Sequence, residues 1–85
     1  MQYKGKRLTN KVLETIIKQW PIHPSGICRH LNIEVTASNI SKINYHFRVL
    51  EEKGFIHTKQ IDRAVVAWPA EIDKIRMVHQ MIQDI

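Results

Sequence analysis

Apolar positions change their spacing along the chain, and the changes divide it into elements. Val12, Leu13, Ile16, Ile17 and Trp20 recur at helical spacing, Lys11, Glu14 and Lys18 take the wet side, and Pro21 forbids continuation. With Thr9 or Asn10 as cap, this predicts a first helix through Trp20 that buries one side. After "PIHP", Ile27 and Leu31 lie four apart and predict a short second helix from about Ser25 to Leu31, leaving Arg29 and His30 near the surface. "NIEVTAS" then reads as an extended connector whose Ile33 and Val35 plug the core. Ile40, Ile43, Phe47 and Leu50, spaced by three and four, predict a third helix in which Thr36, Ser38 and Asn39 compete as caps and Gly54 is the stop.

The period then shortens. "FIHTKQ" and "AVVAW" are β-prone runs separated by "IDR", a hairpin closed without glycine and ended by Pro69. In "AEIDKIRMVHQMIQDI" a last helix is predicted, with Ile75, Val78, Ile82 and Ile85 in one stripe that Ile72, Met77 and Met81 broaden. So apolar a terminal helix must bury itself on its own core or on another copy of the chain. Ile72, Ile75, Val78, Met81, Ile82 and Ile85 are therefore the expected dimer contacts. The expected fold class is mainly α with a small β-hairpin, an α+β single domain in which residues 1–68 carry the binding surface and residues 69–85 a dimerisation helix.

Three helices, a hairpin and a further helix is the element order of a winged helix-turn-helix, in which the third helix enters the DNA major groove and the hairpin rests on the backbone or minor groove. If the apolar face of the third helix points inward, Ser41, Lys42, Asn44, Tyr45 and Arg48 are left outside. Their chemistry suits DNA: Lys and Arg bond phosphate or guanine, Asn bonds adenine bidentately, and Ser and Tyr bond phosphate oxygens. Ser41, Lys42, Asn44 and Tyr45 are the candidate base readers. Arg48, with Lys59 and Arg63 flanking the hairpin tip, is a candidate phosphate contact. Helical spacing alone is equally met by a solvated face; the element order and the second basic site favour DNA. Glu51 and Glu52, near the helix end, are expected to point away from the groove.

Charge sharpens this picture. The 85 residues carry a formal net charge of +5. Through Trp68 there are eleven Lys and Arg against five Asp and Glu, a balance of +6, and from Pro69 onward two against three, a balance of −1. A basic surface before the last helix favours a polyanionic partner. Lys4, Lys6, Arg7 and Lys11 cluster without an acid and read as a basic N-terminal arm for phosphate, or merely as a solubilising terminus. A single cysteine excludes an intramolecular disulfide and fits a reducing compartment. No apolar run reaches the ~18 residues of a membrane span, and no signal-peptide pattern is present. The expected location is cytoplasmic or nucleoid-associated.

The run His46, Phe47, Arg48, Val49, Leu50, Glu51, Glu52, Lys53, Gly54, Phe55, Ile56, continuing without a gap to Arg63, resembles the recognition helix and first wing strand of ArsR-type repressors. The same ending is shared by MarR-like and Lrp-like winged-helix groups. The resemblance covers about a third of the chain and implies a winged-helix transcriptional regulator. The connector "NIEVTAS" is longer than the tight turn usual in that superfamily, and the paired-cysteine motif of its arsenic and cadmium sensors is absent.

Other chemistry is poorly supplied. Cys28 and His30 point about 200° apart around a helix and do not share an ion readily; Cys28 is expected to be a small buried residue. His23, His57 and His79 are scattered over different elements, so no metal is assigned. His46, beside Phe47, is expected to be a half-buried packing and hydrogen-bonding residue, and Trp68 to be core. No phosphate loop, nucleophile elbow or zinc-hydrolase spacing is present, and Glu51 and Glu52 diverge, so no catalysis is expected. Neither a cofactor nor a small-molecule ligand is implied. The sequence therefore points to a homodimeric regulator of double-stranded DNA, expected to be a repressor. Its rivals are a protein-contact module that uses the C-terminal stripe and a low-specificity architectural or replication-associated DNA binder.

Overall fold

A computed structural model describes residues 5–72, with side chains from Arg7 onward. The order is α1 (Gly5–Gln19), α2 (Pro24–His30), α3 (Ala37–Glu52), β1 (Ile56–Ile61) and β2 (Ala64–Pro69), and helical conformation resumes at Ala70 to Ile72. The described chain is mainly helical with a two-stranded antiparallel hairpin. Lys4 and the stripe residues Ile75, Val78, Met81, Ile82 and Ile85 lie outside the described residues.

Helix α1 starts at Gly5, well before the expected cap at Thr9 or Asn10. Its core line is Leu8, Val12 and Ile16, four apart, with Leu13 packed at the edge. Ile17 and Trp20, expected to be core, are 55% and 39% exposed. Ile17 lies about 100° around the helix from Ile16, and Trp20 falls just past the last helical residue, where the chain turns into Pro21. Thr15 is buried on this helix, and its hydroxyl donates to the Lys11 carbonyl at 2.8 Å.

The connector between α2 and α3 closes without glycine. Asn32 takes φ 57°, its N–H donates to the Arg29 carbonyl at 3.3 Å, and the Ile33 N–H donates to the Cys28 carbonyl at 2.8 Å. These two bonds form a Schellman closure, with Asn supplying the left-handed residue. Ile33 packs on the core as expected, whereas Val35 is exposed. Thr36 caps α3, its Oγ1 accepting from the Asn39 N–H at 3.1 Å. Asn39 is thus not the cap; its Nδ2 donates to the Glu34 carbonyl at 2.8 Å and braces the connector.

Ile43, Phe47 and Leu50 form the buried line of α3, joined by His46, while Ile40 is only half-buried. Gly54, at φ 81°, ends the helix with the same closure: Gly54 N–H donates to the Glu51 carbonyl and Phe55 N–H to the Leu50 carbonyl, both at 3.0 Å. The hairpin pairs Ile56 with Pro69 through Ile61 with Ala64, so the second strand includes Pro69. Asp62 occupies the left-handed region at φ 56° in its two-residue turn, a conformation Asp tolerates better than most side chains. On the other side of β2, Ile22 exchanges two backbone bonds with Ala67, at 3.2 and 2.9 Å. β2 is therefore held from both sides. Ile22, Ile27, Cys28, Ile56 and Ala67 complete the core with the α1 and α3 lines. Trp68 is half-buried rather than core.

Candidate nucleic-acid interface

Burying Ile43, Phe47 and Leu50 fixes the phase of α3 and so decides what it presents. Ser38, Ser41, Lys42, Tyr45 and Arg48 are all exposed, Tyr45 at 58%. At about 100° per residue, Ser38, Ser41 and Tyr45 form the middle of this face, with Lys42 and Arg48 to its sides. Asn44 is half-buried and sits on the margin opposite Lys42. Ser38 belongs to the face because Thr36, not Ser38, caps the helix; the competition among three caps conceals its role in the sequence.

Between Ala37 and Val49 this helix carries no acid. The two acids that follow do different things. Glu51 turns to the hairpin, its carboxylate accepting from the Thr58 N–H at 2.8 Å and from the Thr58 hydroxyl at 3.0 Å. Glu52, by contrast, lies one turn beyond Arg48 on the exposed line, so the acid-free face ends there rather than continuing past both acids. Glu51 therefore ties the start of β1 to the end of α3, a positioning role that sequence spacing does not reveal. Glu51→Ala is expected to cost about 1.5 kcal/mol, the low end for a bond to a charged group, and to speed hydrogen exchange at the Thr58 amide about tenfold. Unchanged Thr58 exchange would show that the carboxylate does not hold the strand.

The hairpin adds Lys59 and Arg63, both exposed, the latter in the turn itself. The N-terminal basic cluster is placed differently from expectation. Lys6, Arg7 and Lys11 belong to α1 rather than to a free arm. Arg7 is exposed, whereas Lys11 lies 3.7 Å from Glu14, which also bonds Lys18 at 3.2 Å. The Lys18 hydrogen bond, and then the charge of Lys11, hold the Glu14 carboxyl below its ordinary value.

Behind the face, Thr9 Oγ1 and His46 Nδ1 are 2.9 Å apart and join α1 to α3, and the Tyr45 ring meets His46 edge-on. Burial disfavours the imidazolium and holds His46 below the ordinary imidazole value. As pH falls the unfolded chain takes up this proton first, so the contribution is complete above about pH 6.5 and declines below it. Between about pH 7.5 and about pH 5.5 the unfolding temperature of the parent is expected to drop further than that of His46→Gln, which has no titrating ring. Parallel pH profiles for the two would remove His46 as the cause.

Cys28 is buried, and desolvation pushes its thiol above the ordinary value. Among the described residues no group of three or more His, Cys, Asp or Glu is placed to hold a metal ion, and no helix is long and apolar enough to cross a membrane. Comparison with family models, with curated proteins and with solved structures finds no match.

Proposed function

We propose that the chain is a winged-helix transcriptional regulator that binds double-stranded DNA as a homodimer, with α3 in the major groove and the hairpin as the wing. The observation that carries this reading is the exposed face of α3. It offers Ser38, Ser41, Lys42, Tyr45 and Arg48 without an acid before Glu52, and is followed by a hairpin exposing Lys59 and Arg63. Hydroxyls and cations at the N-terminal half of such a helix are the groups that approach base edges, while Arg48 and the hairpin cations suit phosphates. Glu51 supports the same division of labour by fixing the wing to the reading helix. Two copies would set their α3 helices about 34 Å apart, on successive turns of an inverted repeat.

Selection of bound sequences from a random duplex library at near-physiological salt tests this reading. The intact chain is expected to enrich an inverted repeat, and the Lys42→Ala, Asn44→Ala double variant to lose that preference. Binding without enrichment by either protein would leave a low-specificity DNA binder and remove the operator-reading role.

A further inference from the structure

Outside the α3 face, Trp20, Pro21, Ile61, Val66, Trp68 and Ile72 line an apolar groove of about 810 Å³ between the end of α1 and the hairpin. Lys59, Asp62 and Arg63 also border it. Ile61 is 52% exposed and Trp20 39%, so two large apolar side chains stand open on one groove. We propose that this groove receives the C-terminal segment, residues 73–85, of a second copy of the chain, and that the two copies exchange these segments reciprocally. The proposal rests on the homodimer part of the reading above and specifies where the contact lies.

Three observations select this occupant. The groove is continuous with the stripe in question, since Ile72 lines its wall and also opens the apolar series Ile75, Val78, Ile82 and Ile85. From Ala70 onward the sequence has neither Gly nor Pro, so it contains no turn signal with which to double back over the groove it has just left. At least thirteen residues follow Ile72, and as helix they would span about 20 Å at 1.5 Å per residue, a length that could reach a second copy. A two-fold exchange fills both grooves and covers both stripes with one contact type. It also places the partner's segment beside Lys59 and Arg63, so association and wing placement are coupled.

Both tryptophans of the chain, Trp20 and Trp68, line this groove, so their emission reports its occupancy directly. The test follows sedimentation and tryptophan emission of the full chain over a dilution series, with Ile61→Glu altering the groove and Ile82→Glu the segment. Emission is expected to shift to the blue as mass doubles. Each variant is expected to be monomeric and red-shifted, with parental far-UV dichroism because Ile61 is exposed. An equimolar mixture of the two is expected to regain dimers with about half the blue shift, one intact groove meeting one intact segment. An Ile61→Glu dimer, a mixture that stays monomeric, or emission that ignores dissociation would overturn the proposal while leaving the DNA reading intact. Blue emission independent of concentration would overturn it by seating each chain's own segment. A parent that is monomeric throughout would remove the homodimer as well, and selection of unpaired half-sites would then show that the reading of DNA by α3 survives alone.

Discussion

Replacing Lys42 and Arg48 together by alanine lowers the affinity for duplex DNA about a hundredfold or more at near-physiological salt. A hydrogen bond from a charged group contributes about 1.5–3 kcal/mol, and two such losses reach that range. The slope of log affinity against log salt is expected to flatten by about one unit for the phosphate contact of Arg48, while the loss of Lys42 shows as relaxed sequence preference. Both side chains are exposed, so the fold does not depend on them. Lys18→Ala serves as the control: one positive charge, half the change of the double variant, is removed from α1, where Lys18 is bonded to Glu14, and affinity is expected to stay within about twofold. Fluorescence titration of one duplex at several salt concentrations measures all three proteins. Equal losses in the double variant and the control, scaled by charge, would mean that only net charge matters and that the α3 face has no special position.

Phe47→Ala is the most damaging single change expected in the core. Phe47 is 2% exposed and sits in the middle of the α3 line, among Ile43, Leu50 and the α1 residues Val12 and Ile16. Truncation of a buried Phe to Ala costs about 3–5 kcal/mol, through lost transfer energy and the cavity left behind. A chain of 85 residues has about 4–13 kcal/mol of total stability, so the variant loses a large share of that margin. Its thermal midpoint is expected to fall by about 15 °C or more. The comparison that isolates packing is Tyr45→Ala two residues earlier, on the exposed face, which is expected to change the midpoint by no more than a few degrees. If the two variants melted alike, the assignment of inner and outer faces on α3 would be wrong, and the proposed interface with it.

The phase of α3 was legible because two local signals agree, a stripe at three and four and a Gly that accepts φ 81° without strain, whereas the choice of Thr36 over Ser38 and Asn39 as cap emerged only in the structure. The second helix was legible from Ile27 and Leu31 four apart, although it begins at Pro24 rather than Ser25, and the hairpin from β-prone runs on either side of a polar turn. Helix α1 was harder. Its apolar residues come as the adjacent pairs Val12–Leu13 and Ile16–Ile17, which fit two phases, and only the inclusion of Leu8 selects the true one. Leu8 lies in a polar run that resembles an arm, and Thr9, which has the chemistry of a cap, instead meets His46 across the core. The pairing of Ile22 with Ala67 leaves no trace in periodicity, because a single residue has no period.

The same division holds for the interface. Ser41, Lys42, Tyr45 and Arg48 follow from helical phase alone, and Asn44 is displaced to the margin because Ile40 and Phe47 pull its side of the helix toward the core. Glu51 could not be assigned from spacing, since its bonds to Thr58 exist only after Gly54 reverses the chain. Lys11 reads as a free cation in a basic cluster until the helix places Glu14 one turn away.

Mapping backbone amide shifts of the full chain on addition of the selected duplex tests the central claim most directly. The account predicts the largest changes from Ser38 to Arg48 along the exposed line of α3, smaller ones at Lys59 and Arg63, and little change at Leu8, Ile16 or Ile27 beneath. Changes confined to the groove lined by Trp20, Trp68 and Ile72, with α3 silent, would contradict it and assign the DNA contact to another face.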